Sequence, residues 1–98
     1  MDIIITVPKD QIAHVRNDKA TAKSAYWTLG NRRPKRAKKG DRIGFVWEGA
    51  LRAVAHITQI RRFGDSVEVH FHRFHYIASP VEQKSFRGFR YCDLQGVL

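Results

Sequence analysis

The sequence predicts a mainly β fold of α+β type: a small pseudo-β-barrel of five to six strands with one or two short helices. Three observations carry this. Segments rich in β-branched and aromatic residues recur along the chain, as strands require. The later segments are separated by short glycine-containing reversals of hairpin type. Only one stretch, Lys9 to about Lys23, has a helical pattern instead. With 98 residues, 43% of them hydrophobic, the chain suffices for one modest core and one domain spanning residues 1–98.

In chain order, "DIIITV" (2–7) is β-branched almost throughout and stops at Pro8, so it reads as a first strand buried on most of its length. From Lys9, Ile12 and Val15 with Ala13, Ala20 and Ala22 give a weak apolar stripe and a helix of one or two turns, ended by Asn17 and Asp18. "SAYWTL" (24–29) resumes strand chemistry until Gly30 and Pro34 break it. "RIGFVW" (42–47), "ALRAVAHITQI" (50–60) and "SVEVHFHRFHYIA" (66–78) follow, joined by Glu48-Gly49 and Gly64-Asp65 as hairpin turns. "FRGFRYCDL" (86–94) is a shorter candidate interrupted by Gly88. Meandering strands in so short a chain suggest a barrel that closes on itself and removes its edges.

The charge is unevenly placed. The chain carries 18 Lys or Arg against 9 Asp or Glu, a formal net charge of +9. The stretch Asn31 to Arg42, "NRRPKRAKKGDR", holds seven of the cations and one acid, Asp41, leaving +3 for the other 86 residues. Self-repulsion on that scale is characteristic of domains whose partner is a polyanion. The stretch lies between two predicted strands, so a scaffold holds both its ends and Pro34 stiffens it. Cations hold phosphates and aromatic faces stack bases. Arg32, Arg33, Lys35, Arg36, Lys38, Lys39 and Arg42, flanked by Tyr26, Trp27 and Trp47, therefore form the candidate nucleic-acid site. Alternation in "RIGFVWEG" puts Ile43, Phe45 and Trp47 on one face, so Trp47 shares the core side and reaches a ligand only at the barrel mouth. The small Gly44 is a place where a ligand or a second backbone can approach closely.

Other chemistry is poorly served. Cys92 is the sole cysteine, which excludes an internal disulfide and a thiolate zinc cluster. His70 and His72 share a strand face with His75 nearby, but a zinc site needs a further ligand from His56, Cys92 or Asp93 that nothing in the spacing supplies. A polar face that gains positive charge below neutral pH fits these histidines better. The serines stand in no nucleophile-elbow setting, and Glu48, Glu68 and Glu82 are scattered. No metal and no cofactor is implied. No apolar run approaches the ~20 residues of a membrane-spanning helix, so a soluble, cytoplasmic protein without a membrane partner is expected.

The order "AYWTL", basic loop, "KKGDRIGFVWEG", "LRAVAHITQI", covering residues 24 to 61, resembles the PUA-like superfamily, which includes PUA, ASCH, EVE and YTH domains. The resemblance centres on Lys39-Gly40-Asp41 followed by strand, glycine turn and small-residue strand. It implies a pseudo-barrel that binds RNA or DNA and, in the EVE and YTH branches, admits a modified base into an aromatic pocket. Tyr26-Trp27 is similar to the Tyr-Trp near the first strands of EVE domains, although here it follows two dozen earlier residues. ASCH domains, some of them amidohydrolases on modified nucleosides, carry a Gly-x-Lys-x-x-Glu-x-Arg motif. In "GNRRPKR" the corresponding positions are Gly30, Arg32 and Lys35, with lysine in place of the glutamate. The missing acid favours binding over hydrolysis. The expectation is thus a non-enzymatic nucleic-acid-binding module. Its rivals are a small amidohydrolase using Lys23, His56 and Glu48, and an interaction or inhibitor protein whose basic face docks on an acidic protein partner.

Overall fold

The computed structural model describes residues 1–19 and 24–97 and is mainly β. Strands β1 (Asp2–Thr6), β2 (Ser24–Leu29), β3 (Arg42–Trp47), β4 (Ala50–Phe63), β5 (Ser66–Glu82) and β6 (Phe89–Cys92) form one mixed sheet in the order β2-β5-β4-β3-β1-β6. The β1–β3 pair is parallel and the others antiparallel. The sheet is not closed into a barrel: β2 and β6 are its two edges, where the sequence had suggested closure. Between Thr6 and β2 the chain forms a helical segment, a 3-10 turn at Lys9–Gln11, an α turn at Ile12–His14 and a wider π turn at Val15–Lys19. This segment runs on through Asn17 and Asp18, where a stop was expected. It seats Val15 fully in the core with Ile12 packed beside it.

Both faces of the middle strands are buried, which is why they read as nearly continuous apolar runs. On the inner face Ile3, Ile5, Ile43, Phe45, Trp47, Ala55, Val69 and Phe71 build the main core. On the outer face Ile4, Val46, Leu51 and Val54 make a smaller one under Leu94. Gly44 lies beneath this second core, and a Cβ there would sit 2.8 Å from Leu51 Cδ1 and 2.9 Å from Ile4 Cγ2. The space expected for a ligand is filled by these methyl groups. The C-terminal segment is held down by the buried Asp2, whose carboxylate accepts the backbone N–H of Leu94 at 2.8 Å and of Arg42 at 2.7 Å.

The hairpin turns lie where glycine placed them. Glu48 (φ 51°) and Gly49 (φ 76°) are both left-handed, the type I′ pattern, and Gly64 (φ 61°) turns β4 into β5. Strand β4 outruns β3 by seven residues, from Ile57 to Phe63, and pairs there with β5 alone. The basic loop occupies the space alongside. No helix of the described residues is long and apolar enough to cross a membrane.

Candidate nucleic-acid interface

The segment between β2 and β3 is a built loop. Val67 N–H donates to the Gly30 carbonyl at 3.1 Å, fixing the entry. Gly40 N–H donates to the Ile57 carbonyl at 3.0 Å and Ile57 N–H to the Asp41 carbonyl at 2.8 Å, fixing the exit onto the free side of β4. Two reversals lie between, closed by Ala37 N–H to Pro34 O at 3.1 Å and Asp41 N–H to Lys38 O at 3.0 Å. Pro34 and Ala37 are buried and all the cations from Arg32 to Lys39 are exposed, so the loop anchors by its apolar residues and presents its charges outward.

Asp41 staples the second reversal by accepting Lys38 N–H at 3.0 Å and the amino group of Met1 at 2.8 Å. Burial raises the Asp41 pKa. The hydrogen bonds from these two donors outweigh it, and the net shift is downward, keeping Asp41 a carboxylate.

The loop's first half walls a cleft of about 510 Å³. Arg32, Arg33, Lys35 and Arg36 line one side, Arg62 of β4 a second, and Phe89 with Tyr91 of β6 the floor. Arg32 lies 5.0 Å from the centre of the Phe89 ring and Arg36 lies 5.6 Å from that of Tyr91, so cation–π contact orients both guanidiniums. Tyr91 Oη also accepts the Arg36 backbone N–H at 3.0 Å. Arg33 donates to the Ile60 carbonyl at 3.2 Å and Arg62 to the Asn31 carbonyl at 3.0 Å. The loop thereby ties β2, one edge of the sheet, to β6, the other.

Among the described residues the cleft is lined by five cations and no carboxylate. Among the described residues the ion pairs are Met1–Asp41, Arg42–Asp2 and His70–Glu68, and none uses a cleft cation. Uncompensated guanidiniums with donors free are suited to oxyanions, above all to phosphate.

The other predicted site residues are placed elsewhere. Arg42 is half-buried on the outer face, held 3.7 Å from the Asp2 carboxylate, and serves the fold. Lys38 and Lys39 are exposed on the second reversal, outside the cleft. Trp47 is 5% exposed at the far end of β3, edge-on to Tyr76. Trp27 packs edge-on to Phe45 from β2 and is half-buried. Tyr26 is exposed on the opposite face of β2, 5.3 Å from His70. The three rings therefore share no pocket with the loop.

What the sequence analysis missed is the floor. Alternation in "FRYC" already placed Phe89 and Tyr91 on one face, but the segment had been read only as a shorter strand candidate interrupted by Gly88. Arg62 and the 65% exposed Phe63 precede the Gly64 turn, where paired arginines beside an aromatic were a legible signal.

No family model, no curated protein and no solved structure matches this chain. Its function must be argued from the geometry.

That geometry gives little support to hydrolysis. His56 is six residues along β4 from Ala50, roughly 20 Å at 3.3 Å per residue, so Glu48 in the turn does not meet it. Lys23 lies outside the described residues. The Cys92 pKa is raised by burial and then by Asp2 and Asp93, so its thiolate is disfavoured. Among the described residues no group of three or more His, Cys, Asp or Glu is arranged to hold a metal ion.

Proposed function

We propose that this domain binds nucleic acid, RNA or DNA, by gripping its phosphate backbone in the cleft between the basic loop and β6. The observation that carries the proposal is the set of five cations, two of them pre-oriented on Phe89 and Tyr91, around a concave surface to which the described residues contribute no acid and no ion-pair partner. Each guanidinium offers a planar fork of donors to a phosphate, and little side-chain entropy remains to be lost on binding. The PUA-like resemblance, resting on Lys39-Gly40-Asp41 and the hairpin that follows, supports the same function. Because Arg32 and Arg36 cover the faces of Phe89 and Tyr91, these rings act on phosphates through the arginines. Phe63, the residue after Arg62 at the end of β4, is 65% exposed and is the open ring available to a base, modified or not, that splays out beyond the cleft.

Fluorescence anisotropy with labelled single-stranded RNA, single-stranded DNA and duplex tests this. The expected result is binding of at least one of them by the native protein and a loss of at least tenfold in the triple variant Arg32→Ala, Arg33→Ala, Arg36→Ala, with Phe63→Ala weakening binding less. Equal affinity in the native and triple-variant proteins would remove the proposal. Nuclease-resistant capture of an acidic protein, with no binding of any oligonucleotide, would replace it with protein docking.

A further inference from the structure

The outer face of the sheet holds a second cationic cluster that the loop does not explain. His56 on β4 pairs across the strands with His72 on β5, and with Arg42 on β3. The His56 ring centre lies 6.3 Å from that of His72 and 6.2 Å from that of His75. His72 and His75 are three residues apart, a spacing that in a regular strand sends side chains to opposite faces. Here Arg73 and Phe74 stand opposite the single residue Ala55, and Arg73 takes the left-handed conformation, φ 54°. This bulge flips the phase of β5, so Phe71 and Phe74 both enter the core and His72 and His75 both face out. A left-handed arginine is a strained choice where glycine or asparagine would fit, and its effect is to gather three imidazoles.

Among the described residues the carboxylates near the cluster are all engaged. Of those that border a cleft with Arg42, Asp41 accepts from Lys38 N–H and the Met1 amino group, and Asp93 accepts the Gln95 N–H at 3.0 Å. From β3 comes Arg42, and from β1 Asp2, already occupied by that arginine and by two backbone N–H groups. From β5 come Arg73, His72 and His75. Glu68 is taken by His70 at 3.0 Å.

We propose that His56, His72 and His75, between Arg42 and Arg73, form a second phosphate site on the outer face of the sheet, filled when the imidazoles take up protons. It does not depend on the function assigned to the cleft. Before any imidazole is protonated, an anion is attracted by Arg73 and by Arg42, whose charge Asp2 partly offsets. On acidification each protonated ring adds a charge and an N–H donor. Burial, and then the charges of Arg42, His75, Arg73 and His72, lower the His56 pKa, so protonation is resisted while the site is empty. A bound dianion cancels that repulsion. Proton uptake and anion binding therefore reinforce each other, and by linkage the dissociation constant falls about tenfold per pH unit for each proton taken up.

The test is a histidine-resolved NMR titration of the whole chain with sulfate, a divalent oxyanion that does not itself titrate between about pH 8 and about pH 5.5. Sulfate is expected to raise the apparent pKa of His56, His72 and His75 and to leave His14, on the helical segment, unmoved. Affinity at about pH 5.5 is expected to exceed that at about pH 8 by at least tenfold. The effect is lost in His72→Gln and in Arg73→Asn, which tolerates the left-handed backbone, and it persists in the triple variant of the loop. Pyrophosphate and an abasic oligonucleotide then separate free phosphate from a backbone, the tighter of the two naming the source. Equal sulfate affinity at both pH values, a common shift of all the histidines including His14, an unaltered response in His72→Gln, or loss of the response in the loop variant would each overturn the site.

Discussion

Arg36 is held to Tyr91 twice: its backbone N–H donates to the phenolic oxygen at 3.0 Å, and its guanidinium lies 5.6 Å from the centre of the same ring. One side chain on the edge strand β6 thus fixes both the path of the basic loop and the direction of one of its charges. This clamp converts a dense run of cations into a surface.

Tyr91→Phe keeps the ring and removes the acceptor, leaving one loop N–H to water. A stability loss of about 1 kcal/mol is expected, read as a fall in melting temperature of about 4 to 8 °C. Tyr91→Leu, which also removes the cation–π contact, is expected to weaken oligonucleotide binding further while costing little more stability. Identical binding in both variants would separate the ring from the site.

The tryptophans line no wall of the cleft, so their emission reports on the fold. Oligonucleotide binding is expected to leave tryptophan fluorescence nearly unchanged, and Trp47→Phe to leave affinity within about twofold. Strong quenching on binding that disappears in Trp27→Phe or Trp47→Phe would restore the tryptophan-framed pocket that the sequence suggested.

Gly44→Ala tests the outer core. Its methyl group would press on Leu51, Ile4 and Leu94, and forced repacking of this kind costs about 1 to 3 kcal/mol. Chemical denaturation is expected to show that loss with an unchanged m-value. A neutral result would mean that the C-terminal segment moves aside freely.

Much of the fold was legible because local chemistry and tertiary structure agree. "SAYWTL" and "RIGFVW" became β2 and β3 residue for residue, and glycine at 49 and 64 marked both hairpin turns. Closure was not legible, since it depends on whether β2 reaches β6, and no periodicity within a strand encodes that distance. Strand β5 hid its most consequential feature for a related reason. The phase flip at Arg73 uses a residue whose type gives no warning of positive φ. The charged half of the site was plain in "NRRPKRAKKGDR". Its aromatic half was not, because Phe89 and Tyr91 are some fifty residues away in sequence while Tyr26, Trp27 and Trp47 lay conspicuously close.

Stability at acid pH follows from His56. Its pKa is lowered in the folded protein, by burial first and by the surrounding cations after it, so between that value and the ordinary 6.5 the unfolded chain binds the extra proton. Stability is then fully present above about pH 6.5 and declines as pH falls through the folded value. His56→Gln is expected to flatten the melting temperature over this window in salts of weakly binding anions such as chloride. The same slope in native and variant proteins would show that another group governs the decline.

The central claim, that the loop's uncompensated cations meet a phosphate backbone, is tested most directly by the salt dependence of oligonucleotide affinity. The native protein is expected to lose affinity linearly in a plot of log K against log salt, and the triple variant Arg32→Ala, Arg33→Ala, Arg36→Ala to reduce that slope by about 2 to 3, at 0.7 to 0.9 per phosphate contact. A native slope near zero, or a slope unaltered by the three substitutions, would contradict it.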